Sequence, residues 1–156
     1  MKALKLLLVE DSPSDVRLIR EVLKEAKMQV QISVARDGVE AMEYMRQTAQ
    51  GSCARPDIIL LDLNLPRKNG REVLAELKES TSFRQIPVLV MTSSQADDDI
   101  RECYALNANC YITKPGNLSQ YFQVVRAIEN FWFLTATLPG NYASFGPLPP
   151  ALSLAS

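Results

Sequence analysis

Asp62 ends the run Ile58-Ile59-Leu60-Leu61, which is apolar throughout with no alternation. A strand covered on both faces has this composition. A carboxylate that closes such a run surfaces at the carboxyl end of a strand, where open parallel α/β sheets place their chemistry. It can serve there as a nucleophile, a metal ligand or a helix cap. Three further apolar runs end in reactive groups: Leu6-Leu7-Leu8-Val9 in Glu10-Asp11, Val88-Leu89-Val90-Met91 in Thr92-Ser93, and Tyr111-Ile112 in Thr113-Lys114-Pro115. On parallel strands all of these meet at one edge. Carboxylates gathered there repel one another and raise each other's pKa unless a cation sits among them. A hard divalent ion that takes carboxylates, carbonyls and water is magnesium. Metal-held carboxylates facing a hydroxyl and an ammonium make a phosphoryl-transfer site, with Asp62 as the nucleophile that becomes an aspartyl phosphate.

Each group has an ordinary role when taken singly. Glu10-Asp11 favours the start of a following helix, Asp62 a turn, and Thr92-Ser93 turn hydrogen bonds. A lone lysine is a solvated charge, and Tyr111 is a core or edge aromatic. What sets them apart is their chemical complementarity at four separate strand exits.

The elements that must position these groups alternate strand and helix five times. Leu4–Val9 reads as a first strand, followed by a helix opened by Ser12 and Pro13 and ending near Lys27, with Asp15 in capping-box position. Val30–Ala35 is a second strand, closed by Asp37-Gly38. Val39, Met42 and Met45 mark a second helix, and residues 47–56 a polar loop. The third strand is 57–61, the third helix 70–78, the fourth strand 87–91. Asp97-Asp98-Asp99 stand at the positive end of a fourth helix. Residues 108–112 make the fifth strand, and Asn117 or Ser119 opens the fifth helix. This alternation implies right-handed βαβ units and a parallel sheet with helices on both faces.

At 156 residues there is room for one domain with a full core. A net charge of −1 gives no electrostatic reason to expect nucleic acid or an anionic membrane. The apolar run near the N-terminus is too short for a signal-peptide core or a bilayer span. The cysteines, Cys53, Cys103 and Cys110, match no metal spacing and read as reduced thiols of a cytoplasmic protein. With no histidine in the sequence, imidazole-based catalysis is excluded.

Leu8-Val9-Glu10-Asp11, Leu60-Leu61-Asp62-Leu63-Asn64-Leu65-Pro66, Met91-Thr92-Ser93 and Tyr111-Ile112-Thr113-Lys114-Pro115 resemble the four signatures of bacterial two-component response-regulator receiver domains. The match covers about residues 4–134, with 30 residues from Asp62 to Thr92 and 22 from there to Lys114. It implies the flavodoxin-like (CheY-like) doubly wound fold, a five-stranded parallel sheet in the order 2-1-3-4-5. It further implies that Asp62 is the phosphoacceptor and that Glu10, Asp11, Asp62 and the carbonyl of Asn64 hold Mg2+, with Mn2+ as a substitute. Thr92, Ser93 and Lys114 would bind the phosphate, and Thr92 and Tyr111 would switch. The family's Lys-Pro bond is commonly cis, an expectation that passes to Lys114-Pro115. The stretches Gly70-Arg71-Glu72-Val73-Leu74 and Glu129-Asn130-Phe131-Trp132-Phe133-Leu134, with the extended loop before Pro56-Asp57, resemble the small regulators paired with cyanobacterial phytochrome histidine kinases. Such a sensor kinase is the implied partner.

Three rivals share parts of the pattern. A flavodoxin-type cofactor site needs hydroxyls and amides at the first strand exit, where Glu10-Asp11 would repel a phosphate. A haloacid-dehalogenase-type phosphatase needs a second Asp two residues after the nucleophile, where Asn64 stands. A receiver-like scaffold without phosphate turnover would be expected to lack a site residue, and none is missing.

The sequence divides into a receiver domain, 1–135, and a proline-containing tail, 136–156, with no separate output domain expected. Along the fifth helix, apolar residues cover more of the helical wheel than one buried face needs. Phe122, Phe131, Trp132 and Phe133 are therefore expected to form a homodimer or partner surface, unless Leu138, Tyr142, Phe145 and Leu148 of the tail cover it.

Overall fold

A computed structural model describes residues 3–140. The apolar run at its centre forms β3 (Ile58–Leu61), buried on both faces and flanked by a strand on each side. The other strands are β1 (Leu4–Val9), β2 (Val30–Ala35), β4 (Val88–Thr92) and β5 (Cys110–Thr113). They form a five-stranded sheet in the order β2-β1-β3-β4-β5, every pairing parallel. The doubly wound architecture expected from the alternation of elements is the one observed.

The helices are α1 (Pro13–Lys24), α2 (Gly38–Ala49), α3 (Gly70–Glu79), α4 (Asp97–Ala105) and α5 (Leu118–Ile128). Side chains of a strand alternate between faces, so the sheet carries two cores. Leu7, Val9, Ile59, Leu61, Val88 and Val90 pack with α2, α3 and Cys103 of α4. Leu6, Leu8, Ile58, Leu60, Leu89 and Met91 pack with α1 and α5. Four of the five helix starts are capped by a side chain as their sequences dictate, and α4, preceded by Ala96, has no such cap. Ser12, Asp37, Asn69 and Asn117 each accept the N–H three residues on, at 3.3, 2.8, 3.0 and 3.2 Å.

Two helix ends lie three residues from expectation, and β5 is Cys110–Thr113 where 108–112 was expected. α1 ends at Lys24, because the N–H groups of Glu25 and Ala26 turn back onto the carbonyls of Val22 and Leu23. α2 runs on to Ala49, into the stretch read as loop. It closes in a Schellman motif: Gly51, at φ 81°, donates to Thr48 O, and Ser52 donates to Gln47 O.

The larger departure follows α5, where the chain widens into a π-helical segment, Glu129–Thr135. The wider turn changes the rotation per residue, so side chains point where an α-helical wheel does not place them. Phe133 turns inward and joins the α1/α5 core, so it is not part of an exposed surface. Phe122 and Trp132 are half-buried against that core, and Phe131 is 55% exposed. Leu138 packs on the same core, while Tyr142, Phe145 and Leu148 lie outside the described residues. Glu129 is buried too, its Oε2 accepting the Lys27 N–H at 2.8 Å. No described helix is long and apolar enough to cross a membrane.

This carboxylate ties the π-helical segment to the turn between α1 and β2. Glu129→Ala is expected to lower stability by about 2 kcal/mol, the range for a hydrogen bond to a charged group, read from the urea midpoint. An unchanged midpoint would show that the tie contributes nothing.

Candidate functional site

The ladder hydrogen bonds of the sheet bring the strand exits side by side. Glu10 N donates to Ala35 O at 2.9 Å, Asp62 N to Val9 O at 3.0 Å, and Lys114 N to Thr92 O at 2.7 Å. Glu10, Asp11, Asp62, Thr92 and Lys114 are thereby held at one edge by backbone. Carboxylate oxygens of Glu10, Asp11 and Asp62 lie within 4.8 Å of one another, with Glu10 and Asp62 buried and Asp11 exposed.

The ammonium of Lys114 is the cation among them. Its Nζ donates to Glu10 Oε1, to Asp15 Oδ2 at 2.8 Å and to Asp62 Oδ2 at 3.1 Å. Burial, followed by a hydrogen bond shared with Asp62, pushes the Glu10 carboxyl up to about 8. Burial acts the same way on Asp62, but the hydrogen bond from Glu10 and the charge of Lys114 outweigh it and hold Asp62 below the usual carboxylate value. Asp62 is therefore the ionised member at neutral pH. Burial works against the charge on Lys114, but the bonds to Asp15 and Glu10 prevail and raise its pKa.

Thr92 is wholly buried and its hydroxyl has no hydrogen-bond partner among the described residues. Ser93 is exposed at the same exit. Asn64 is exposed as well, and its N–H donates to Asp62 Oδ1 at 3.2 Å. The ring of Tyr111 packs against the α2/α3 core, and its hydroxyl donates to Ser94 O at 2.9 Å. The Ser94 hydroxyl bonds Asp99, which pairs with Arg71 of α3. The Lys114-Pro115 bond is trans, contrary to the cis expectation. The exit turn closes through the Lys114–Thr92 backbone bond with the isomer that X-Pro bonds intrinsically favour.

The segment between Asp62 and α3 is pinned from two sides. Gly70 N donates to Leu63 O at 2.9 Å, and a Cβ on Gly70 would stand 2.2 Å from Asp62 O. Arg67, at φ 63°, directs Nε to Asp37 Oδ2 at 2.9 Å while Asp37 Oδ1 caps α2. Sequence reasoning missed the parts played by Asp15, Asp37 and Arg67. The signal that could have pointed to the close approach is Gly70 itself, a glycine where a helix begins.

The donor set is chemically consistent: hard carboxylate oxygens, one ammonium and one unpartnered hydroxyl around a buried, ionised aspartate. Such a set suits a divalent cation and a transferring phosphoryl group.

The family model for the response regulator receiver domain matches residues 6–126. The response regulator Rcp1 of Synechocystis sp. is 48% identical over 135 residues, covering 86% of this chain and 92% of that protein. Among solved structures, the phosphorylated cyanobacterial phytochrome response regulator RcpA superposes with a TM-score of 0.85 at 51% identity, over 89% of this chain and 100% of that one. The Mn(2+)-bound form of Rcp1 superposes with a TM-score of 0.83 at 47% identity, over 87% and 99%.

Because the Asp62 carbonyl leaves no room for a Cβ, Gly70→Ala is expected to force α3 and the Asp62 segment apart. The expected loss is about 1–3 kcal/mol in denaturant unfolding. Wild-type stability in that variant would show that the approach is not tight.

Proposed function

The chain belongs to the response regulator receiver domain family, and on that premise we propose that Asp62 accepts a phosphoryl group from the phosphohistidine of a sensor kinase. The observation that carries this reading is the ionised, buried Asp62 held by Lys114 beside the orphaned Thr92 hydroxyl. A buried donor without a partner costs about 1–3 kcal/mol, and a phosphoryl oxygen is an acceptor suited to it. In the transfer, an Asp62 oxygen forms the new P–O bond as the P–N bond to the kinase imidazole breaks. The electron pair of that bond returns to the imidazole nitrogen.

Glu10, Asp11, Asp62 and the Asn64 carbonyl would hold Mg2+, with Mn2+ able to substitute. When bound, the ion supplies charge neutralisation of the transferring group. Lys114 and Thr92 stabilise the phosphoryl oxygens, with Ser93 at the rim. As a receiver-domain response regulator the chain is a signalling protein. Its own chemistry extends to self-phosphorylation from small donors and autodephosphorylation.

The added charge, about −1.5 to −2, draws Thr92 toward the phosphate and shifts the balance of positions open to Tyr111. The bond of Tyr111 to Ser94 O, at the junction of the β4–α4 segment with β5, supports this reading. The affected surface is α4, β5 and α5. The kinase is of phytochrome type, as the likeness to Rcp1 and RcpA supports, and the free cysteines suit a cytoplasmic protein.

Output passes through a homodimer or partner contact on α5 and the π-helical segment. Phe131 and Leu134 are exposed there, Phe131 meets Trp132 edge to face at 5.3 Å, and Phe122 and Trp132 flank them. In this reading residues 1–135 are the receiver and 136–156 a proline-containing tail.

Asp62→Asn is expected to abolish labelling by acetyl phosphate with Mg2+, seen as loss of the phosphoprotein mass. Full labelling of that variant would refute the assignment. In light scattering, full-length protein and a chain ending at Leu134 are expected to dimerise, and Phe131→Asp to shift both toward monomer. Wild-type protein that is monomeric with and without phosphate would contradict the dimer.

A further inference from the structure

Among the described residues, three buried side-chain polar atoms lack a hydrogen-bond partner: Arg55 Nε, the Thr92 hydroxyl and the Tyr121 hydroxyl. Two of the three border the Asp62 site, and the phosphate accounts for only one of them. Tyr121 lies on α5 and is 5% exposed. On its inner side a void of about 10 Å3 is lined with it by Glu10, Asp62 and Lys114. On its outer side an open cleft of about 450 Å3 is lined with it by Asp15, Ser93, Lys114 and Leu118.

Lys114 has three N–H bonds, and in this structure Glu10, Asp15 and Asp62 accept from them. A phosphoryl group on Asp62 brings three new acceptor oxygens to the same ammonium, which has no spare donor. A resting contact has to be given up. Glu10 and Asp62 gain the metal and the phosphoryl group as partners, so Asp15, on α1, is the acceptor left without a donor once Lys114 turns to the phosphoryl oxygens. A carboxylate released in that cleft needs a new donor. Burial comes first among the causes that raise the Tyr121 phenol pKa, and Asp15 is the charge that bears on it most.

We infer that Tyr121 is a positioning residue whose hydroxyl takes over the Asp15 carboxylate when the phosphoryl group draws Lys114 away. The inference rests on the reading of Asp62 as phosphoacceptor. Only hydrogen bonds are exchanged: Lys114 Nζ passes from Asp15 to a phosphoryl oxygen, and Tyr121 O–H donates to Asp15. The Tyr121–Asp15 bond then joins α1 to α5 in the phosphorylated form alone, beside the core and the Arg126–Glu25 pair that already connect them. It is a route from the site to the α5 surface separate from the one through Thr92 and Tyr111. It also gives the orphaned hydroxyl a function, since its desolvation is offset only in the active state.

The test is a double-mutant cycle on full-length protein, with beryllofluoride and Mg2+ as the phosphoryl mimic and affinity read by calorimetry. Tyr121→Phe removes only the unpartnered hydroxyl, so the urea midpoint of the resting protein should not fall. Its affinity for the mimic should drop at least about fivefold, as expected for one buried hydrogen bond to a charged group. In an Asp15→Ala background the same change should cost nothing. Wild-type affinity in Tyr121→Phe would overturn the inference, as would an equal loss in both backgrounds. Wild-type protein that does not bind the mimic, or Asp62→Asn that binds it as well, would instead bring down the underlying reading of Asp62.

Discussion

The ammonium of Lys114 is shared among carboxylates from three elements: Glu10 after β1, Asp15 in α1 and Asp62 after β3. Most of that charge is buried, where uncompensated carboxylates would hold protons rather than stay ionised. Lys114 and the proton on Glu10 together let Asp62 remain an anion in the interior. Removing one partner of such a buried pair typically costs about 3–5 kcal/mol, so the cluster is a strong constraint on the fold as well as a reactive site. It leaves the site incompletely neutralised, with acidic oxygens close together and Asp11 open to solvent. A resting protein built in this way is poised to take up a divalent cation and then a phosphoryl group.

The frame serves that constraint. Parallel register sets the exits of β1, β3, β4 and β5 at one edge, and backbone bonds between the exits fix their depth. The segment after Asp62 is clamped by the contact of Gly70 beneath it and by the Arg67–Asp37 pair beside it. Asp37 does two jobs there, capping α2 with one oxygen and holding Arg67 with the other. Two of the three buried polar groups left unpartnered among the described residues, Thr92 and Tyr121, lie beside the Asp62 site, where a ligand arrives. Orphaned donors beside that site suit a two-state device whose second state supplies their acceptors.

The fold and the central groups were legible in the sequence because the buried strands are unbroken apolar runs and each ends abruptly in a polar group. Parallel topology then made Glu10, Asp11, Asp62, Thr92 and Lys114 neighbours without further information. The ion pair of Asp15 was not legible. Three residues after Ser12, it looks like a capping residue, and its partner stands 99 residues away. Nor was the inward turn of Phe133, because an assumed α-helical rotation fails once the helix widens after Ile128. The end of α2 was misplaced because Gln47, Thr48 and Ala49 carry no breaker, and the signal, Gly51, comes after them. The trans bond before Pro115 differs because a family habit does not determine how one particular turn closes.

In the function proposed above, the charge cluster makes Asp62, and no other carboxylate, the phosphoryl acceptor. Protein labelled with acetyl phosphate and Mg2+ can be reduced with borohydride, which converts an aspartyl phosphate to homoserine, and then mapped by peptide mass. Homoserine is expected at Asp62 alone. Homoserine at another aspartate with Asp62 intact would contradict that role.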